Sequence, residues 1–220
     1  MDPHARSSAT DRKSGERRCV RLRHEEMGTG QSQPAHGHRD RRGGPVPRQG
    51  LHGTSVNDIT VTAGVPRGSF YNHFASKEAL AAEAVRRYRE KGRERLTILQ
   101  DPRLKPLRRL RKYFEGLNDA AVKGRFSAGC LLGNFGAELS AQSPLVREQV
   151  AEGFARWCDA IALVISQAQK EGAISRTLSP KELAEFVVHA WEGAMVRAKV
   201  EKDRAPLDQF LRVTFAKILA

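Results

Sequence analysis

The sequence predicts an all-α protein with a short helix-turn-helix around residue 65 and a longer run of helices after it. Apolar residues recur at steps of three and four through residues 144–172 and 180–201, which is the period of an amphipathic helix. Ser55 and Ser179 precede two helical patterns, each with an acidic residue three positions later that favours a helix start. These signals predict helices through most of the chain beyond residue 50.

The first 50 residues differ in composition from the rest of the chain. They contain no Phe, Tyr, Trp or Ile, and apart from Met1 their large apolar residues are only Val20, Leu22, Met27 and Val46. Such a segment does not offer enough apolar surface to fold by itself. We therefore expect residues 1–48 to be mostly disordered and residues 1–50 to form a basic segment, in which Cys19 has no assigned role.

Two short helices are predicted on either side of Gly64. Glycine tolerates the left-handed conformation that ends a helix, and Pro66 suits the start of the next one. In this second helix Phe70 and Phe74 lie four residues apart on an inward face, and the other side chains are hydrogen-bonding groups with little charge. A polar outer face of this kind is typical of a helix that reads bases in the DNA major groove.

Candidate DNA contacts extend from this helix to its flanks. Ser76 and Lys77 begin the following helix, where backbone N–H groups and a lysine can hold a phosphate. The full candidate set is Thr54, Ser55, Pro66, Arg67, Gly68, Ser69, Tyr71, Asn72, His73 and Lys77. An ordinary helical hairpin is the alternative interpretation, but core packing does not require these polar groups to share an outer face.

The segment from Gly53 to Leu80 resembles the TetR family of one-component transcriptional regulators. The positions that carry the resemblance are Thr54, Ile59, Gly64, Val65, Gly68, Tyr71, Phe74, Lys77 and Leu80. It implies a helix-turn-helix DNA-binding domain, which we place at residues 51–95, and a C-terminal effector-binding and dimerisation domain at residues 96–220. It also implies a homodimeric repressor that a small molecule or an electrophile releases from a palindromic double-stranded DNA operator.

The TetR pattern requires a first helix immediately before Gly50. That place is taken by the segment HGHRDRRGGPVPR, which has no amphipathic period. The favoured hypothesis is that residues 1–47 are an out-of-frame product, because a shifted reading with permitted codons can give an amphipathic helix there. The competing hypothesis is a genuine basic arm that contacts phosphates. If the helix is missing, the alternative function is a dimeric ligand-binding protein with impaired DNA binding.

The resemblance also implies a dimer interface made by two helices, at residues 144–172 and 180–201. The apolar stripes of these helices exceed what one small domain needs to cover its own core. The candidate interface residues are Val150, Phe154, Trp157, Ile161, Phe186, Val187, Ala190, Trp191 and Ala194. A two-fold dimer would present two recognition helices to a palindromic operator.

The runs SAGCLLGNFGAELS and WEGAMVRAKV resemble the TetR subgroup that includes the NemR and AcuR regulators. For that subgroup the resemblance implies control by small electrophiles, with Cys130 as the sensor thiol. A thiol near a helix start or a basic group has a lowered pKa and reacts as the thiolate. Other candidates to line an effector cavity are Phe135, Trp157, His189 and Trp191. The alternative is that these residues, Cys130 and the lesser candidate Cys158 are all core or interface.

Composition limits the remaining function classes. The net charge of +13 suits a polyanionic partner. No apolar run reaches the length of a membrane span, and three cysteines without metal-ligand spacing suit reduced thiols in the cytoplasm. A thiol-dependent enzyme acting on electrophiles is the alternative from another class, but the common catalytic motifs are absent. We expect no cofactor, no metal, no membrane partner and no catalytic residue.

Overall fold

The computed structural model describes Leu51 and residues 53–220, and all regular structure within them is helical. The α-helices of this part of the chain are α1 (Val56–Ala63), α2 (Arg67–Tyr71), α3 (Lys77–Leu96), α4 (Pro106–Lys123), α5 (Leu131–Leu139), α6 (Pro144–Lys170), α7 (Pro180–Glu201) and α8 (Ala205–Val213). A 3-10 helix, Thr97–Gln100, follows α3, and a π-helix, Thr214–Ile218, follows α8. The predicted all-α fold is confirmed, whereas the expectation for residues 1–48 lies outside the described residues.

The chain divides into two compact units between Ala75 and Ser76. The first contains α1 and α2, and the second contains α3 to α8. Within the second unit α3 packs against α6, so its contacts group it with the C-terminal helices. This division differs from the boundary between residues 95 and 96 that the sequence suggested.

Helix α1 has a defined start. Ser55 Oγ accepts a hydrogen bond from the Asp58 backbone N–H at 3.1 Å, and Asp58 Oδ2 accepts one from the Ser55 N–H at 2.9 Å. This reciprocal pair is a capping box, and its hydrogen bonds lower the pKa of Asp58. Ile59 is buried, whereas Val61 is exposed.

A three-residue turn joins α1 to α2. Gly64 adopts a left-handed φ of 68°, and the Val65 N–H donates to the Thr60 carbonyl oxygen at 3.0 Å. The bond from five residues back closes the helix end as in a Schellman motif. Pro66 then stands at the N-cap of α2, one position earlier than a first helical residue. Short turns of this kind, with glycine, set the geometry of helix-turn-helix motifs.

The second unit is a helical bundle whose longest members are α6, with 27 residues, and α7, with 22. Both start at Ser-Pro, where Ser143 Oγ and Ser179 Oγ accept backbone N–H groups. The largest fully buried side chains of the bundle are Val85, Leu110, Phe114, Val146, Ile161, Ile165, Val187, Val188, Leu207 and Leu219. None of the helices in the described part of the chain is long and apolar enough to cross a membrane.

A loop with three left-handed residues precedes α5. Arg125 and Phe126 have φ values of 51° and 53°, and Gly129 has a φ of 69°, so the chain between α4 and α5 is not helical. Lys202 Nζ donates to the Phe126 carbonyl oxygen at 3.2 Å and holds this loop. Helix α5 therefore begins at Leu131, with Cys130 as its N-cap residue.

Candidate functional sites

The outer face of α2 and the turn after it present polar side chains to solvent. Arg67, Tyr71, Asn72 and His73 are exposed, and within the described residues no side-chain hydrogen bond or ion pair engages them. Phe70 is buried, with its ring centroid 5.6 Å from that of Phe74. The helix ends at Tyr71, so Asn72 and His73 extend from the following turn. The arrangement leaves four hydrogen-bonding side chains available to an external partner.

Gly68 leaves the backbone of α2 uncovered on this surface, because it has no side chain. Within the described residues, a Cβ atom at Gly68 would have no neighbour within 4 Å, and the φ of Gly68 does not require glycine. Packing inside the chain therefore does not explain the glycine, which weakens α2 compared with alanine. The missing side chain allows an outside surface to approach the backbone of α2 closely.

The remaining candidate DNA contacts are less free. Ser55 Oγ is engaged in the capping box, and Ser69 Oγ donates to the Pro66 carbonyl oxygen at 2.6 Å. Thr54 is half-buried. Lys77 is the first residue of α3, after Ser76 Oγ caps this helix by accepting the Ala79 N–H at 3.2 Å. The capped start of α3 carries the positive end of a helix dipole, as expected for a phosphate contact.

In the second unit, Cys130 lies in a buried cluster of polar groups. The Tyr88 hydroxyl donates to Cys130 Sγ at 3.8 Å, and the Glu192 carboxyl group lies close enough to raise the pKa of the thiol. Glu192 Oε1 is buried and has no hydrogen-bond partner within the described residues. A Cβ atom at Gly133 would collide with Glu192 Oε2 and lie 3.3 Å from Glu192 Cδ. Gly133 thus makes room for the carboxyl group beside the thiol.

The electrostatics of the cluster correct the expectation for the thiol. Burial, together with the nearby Glu192 carboxyl, raises the pKa of Cys130 to about 12, although the Gly133 backbone N–H at the helix start acts in the opposite direction. Burial also raises the pKa of Glu192 and, strongly, that of Tyr88. Cys130 therefore rests as a thiol and not as the thiolate that a helix start alone would favour.

Two tryptophans extend the cluster towards α4 and α6. The rings of Trp157 and Trp191 meet edge to face, with centroids 5.5 Å apart. Trp191 Nε1 donates to the fully buried Asn118 at 2.9 Å, and Asn118 Nδ2 in turn donates to the Leu207 carbonyl oxygen at 3.3 Å. Trp157 Nε1 is buried without a partner of normal geometry, although the Tyr113 hydroxyl lies beside it. An indole N–H and a carboxyl oxygen are thus left unsatisfied in one region of the core.

The structure brings together three of the predicted sensor residues: Cys130, Trp157 and Trp191. Phe135 is buried in α5, but no described ring contact joins it to them. His189 is exposed on α7, so the structure does not place it in this cluster. Sequence reasoning missed Tyr88, Tyr113, Asn118, Gly133 and Glu192. The available signal was Glu192, an acidic residue four positions after Val188 and three before Met195, both on the apolar face of its helix.

The predicted dimer-interface residues lie on both the inner and the outer faces of α6 and α7. Val150, Ile161, Val187 and Trp191 are buried within a single protomer, so they offer almost no surface to a second copy. The sequence stripe combined inner and outer positions of α6 and α7, because period alone does not separate the two faces. Phe186 is 51% exposed, and Phe154, Trp157, Ala190 and Ala194 are half-buried. The large apolar side chains exposed on the two helices are Leu145, Leu163, Phe186, Val196 and Val200.

Comparisons with known proteins agree with this architecture. Residues 48–84 match the family model "Bacterial regulatory proteins, tetR family", and residues 106–214 match "Tetracyclin repressor-like, C-terminal domain". The repressor DhaR of Mycobacterium sp. (strain GP1) is 41% identical over 172 residues, which cover 78% of this chain and 85% of DhaR. The regulator AcuR of Cereibacter sphaeroides is 32% identical over 170 residues, which cover 77% of each protein. The repressor NemR of Escherichia coli (strain K12) is 31% identical over 170 residues, covering 74% of this chain and 83% of NemR.

Solved structures give the same result. The regulatory protein TetR from Rhodobacter sphaeroides superposes with a TM-score of 0.70 at 32% identity, covering 76% of this chain and 89% of its own. The chain matches both the N-terminal and the C-terminal domain models of one family, and the alignments cover most of the length of these relatives. The chain therefore belongs to the TetR family of DNA-binding transcriptional regulators, whose members bind operator DNA, act as dimers and respond to small-molecule effectors.

Proposed function

We propose that this chain is a homodimeric repressor that leaves a palindromic operator when a small electrophile reaches the buried cluster around Cys130. The cluster itself carries the proposal, because it combines a thiol with two unsatisfied polar atoms, Trp157 Nε1 and Glu192 Oε1. Buried polar atoms are nearly always hydrogen-bonded in a core that has only a packing role. A bound molecule with a donor and an acceptor would satisfy both atoms.

The proposed DNA surface is the exposed face of α2 with its flanks. Arg67, Tyr71, Asn72 and His73 would meet base edges and phosphates, and Gly68 would let the backbone approach the groove. Lys77 would hold a phosphate and fix the register. The unsatisfied outer face supports this assignment, since its side chains have no other use inside the described chain.

The proposed dimer surface is the outer face of α6 and α7. Leu163, Phe186, Val196 and Val200 are exposed apolar side chains on these helices. Gly193 lies in the same stripe of α7 and leaves open space where a Cβ would stand, so the helix can approach its copy closely. Val196→Glu should yield monomers in analytical ultracentrifugation and weaken operator binding. Val213→Glu, on α8, is the matched exposed control and should remain dimeric.

Three coarser features complete the proposal. The DNA-binding domain would span residues 51–95 and the effector domain residues 96–220, which the family matches at 48–84 and 106–214 support. The protein would act stoichiometrically as a regulator and not as an enzyme. Its place would be the cytoplasm, where the operator is.

The test is fluorescence anisotropy of the full chain on the DNA upstream of its own gene, titrated with salt before and after acrylamide, a small electrophile. Expected are sequence-selective, salt-dependent binding in the parent and loss of binding after alkylation. Cys130→Ser should keep binding after the same treatment, whereas Cys158→Ser should lose it like the parent. Binding that survives alkylation of Cys130, shown by mass spectrometry, would refute thiol control. Catalytic consumption of the electrophile would point instead to an enzyme.

A further inference from the structure

We propose that Glu192 accepts the proton of the Cys130 thiol while the sulfur adds to the electrophile, so that the sensor is activated inside its own buried cluster. This inference rests on the proposed thiol-sensing function and assigns the group that makes it work. It gives Glu192 a positioning and proton-accepting part, which its place in an apolar helix face does not suggest.

The Glu192 carboxyl group lies near the thiol. It stands against Gly133 in the first turn of α5, the helix that Cys130 caps, and it is close enough to raise the pKa of the thiol. Cys130 Sγ accepts the Tyr88 hydroxyl at 3.8 Å. A carboxylate in this position gives the proton a path off sulfur. The Tyr88 O–H then faces the sulfur, where it stabilises negative charge as that charge develops. Glu192 therefore takes the proton from sulfur, and Tyr88 stabilises the negative charge that develops there.

Gly133 leaves space for the Glu192 carboxyl group. Any side chain at position 133 would push Glu192 away from Cys130, because a Cβ there falls inside contact distance of Oε2. Glu192 Oε1 has no hydrogen-bond partner within the described residues, although it is buried. An unpaired carboxyl oxygen in a core destabilises the fold unless it is used. Here it leaves the group able to take up a proton.

Within the described residues, no positive charge lowers the pKa of the Cys130 thiol. The titratable and charged groups around Cys130 are Tyr88 and Arg95 from α3, Tyr113 from α4, and Glu192 and Lys199 from α7, with the Arg89–Glu152 ion pair between α3 and α6. Within the described chain, none of the three cations forms an ion pair with Glu192. Burial, together with the nearby Lys202, lowers the pKa of Lys199. A resting thiolate has no support in this environment.

The chemistry balances with the groups present. For an uncharged α,β-unsaturated carbonyl compound, a bond forms between Sγ and the β-carbon, and the S–H bond breaks. The proton passes to the Glu192 carboxylate, which then delivers it to the α-carbon of the adduct. No oxidant or reductant is required, and Glu192 returns to its starting state. The reactive pair carries one proton in total, whether on sulfur or on oxygen.

Because Cys130 and Glu192 share one proton, the pH dependence of the rate of electrophile addition tests the role of Glu192. The test uses the full chain with Cys19→Ser and Cys158→Ser, so that Cys130 is the only thiol, and follows acrylamide addition by intact mass from pH 6 to 8.5. In this parent the rate should change little with pH above the pKa of Glu192, because the one-proton pair persists. With Glu192→Gln only the free thiolate reacts, so the rate should fall about tenfold or more at pH 7 and rise about tenfold per pH unit. Glu201→Gln, on the exposed side of the same helix, should match the parent.

The outcomes separate the two proposals. If the rate of acrylamide addition to the parent rises tenfold per pH unit, Glu192 does not accept the proton. This result is obtained without any Glu192 variant, so it does not depend on whether such a variant folds. Equal rates and slopes for the parent and a folded Glu192→Gln also overturn the role of Glu192, while leaving thiol sensing intact if alkylation still releases DNA. Failure of Cys130 to react, or reaction without DNA release, instead refutes the proposed function.

Discussion

The two compact units use polar side chains in opposite ways. In the first unit, Arg67, Tyr71, Asn72 and His73 face solvent, and their side chains make no hydrogen bond or ion pair within the described residues. In the second, Asn118, Cys130 and Glu192 are enclosed by helices, and most of their bonds are made inside the core. Polar residues of the same kinds form the proposed DNA-binding surface in the first unit and the proposed effector site in the second. Exposure, not residue type, separates the two roles.

The largest effect should come from the apolar support of the internal site. Phe114 is fully buried, and its ring centroid lies 5.0 Å from Phe210 and 6.4 Å from Trp191. Phe114→Ala should lower the free energy of unfolding by about 3–5 kcal/mol, because it removes a large side chain and leaves a cavity. Urea denaturation measures the change. Val122→Ala, at a 38% exposed position of the same helix, should change stability by less than about 1 kcal/mol.

The outward-facing side chains should show the reverse behaviour. Arg67→Ala should weaken operator binding by about 1–3 kcal/mol and leave the urea midpoint unchanged, because the side chain is exposed and unpartnered. Anisotropy at fixed salt gives the affinity. If the variant loses stability while it keeps affinity, the face assigned to DNA is not the outer face of α2.

Two glycines of the first unit sharpen the contrast between folding and binding. Gly68→Ala should stabilise α2 by roughly 0.5–1 kcal/mol and yet weaken operator binding, because the added methyl group points to where DNA would lie. Gly64→Ala should destabilise by about 1 kcal/mol, because the φ of 68° is strained for alanine. Thermal unfolding and anisotropy on both variants separate the effects. An unchanged DNA affinity in Gly68→Ala would contradict the proposal that DNA lies close to the backbone of α2 at this position.

The smallest expected effect is a dependence of stability on pH with opposite signs for two carboxyl groups. Burial raises the pKa of Glu192 above its ordinary 4.5, so the folded state holds its proton longer and stability falls as pH rises through this window. Glu192→Gln should therefore be more stable than the parent at neutral pH, with the difference vanishing below pH 4.5. Hydrogen bonds from Arg89 and Arg156 lower the pKa of Glu152 to about 2, so its contribution is present above 4.5 and is lost as pH falls towards 2. Urea midpoints across this range test both signs, and a Glu192→Gln variant less stable than the parent at pH 7 would contradict the first.

The sequence was sufficient for elements with local signals. The start of α7 at Pro180 is fixed by the Ser179–Glu182 capping box, and the end of α1 by Gly64, and both were predicted. The start of α5 was not, because the left-handed Arg125 and Phe126 depend on Lys202, which is distant in sequence. The spacing of apolar residues by three and four does not distinguish the buried Val187 from the exposed Phe186, so both were predicted as interface residues. Glu192 was missed because only tertiary packing places its carboxyl beside Cys130.

The edge-to-face contact of Trp157 and Trp191 has a spectroscopic consequence. They are the only two tryptophans of the 220-residue chain, and they lie within 5.5 Å of each other beside the proposed effector site. Indole transitions at this distance couple, so near-ultraviolet circular dichroism and intrinsic emission report on this one region of the core. Trp191 is hydrogen-bonded and Trp157 is not, so a molecule that bonds to Trp157 Nε1 should shift the emission without any label. The protein thus carries its own optical probe for the arrival of an effector.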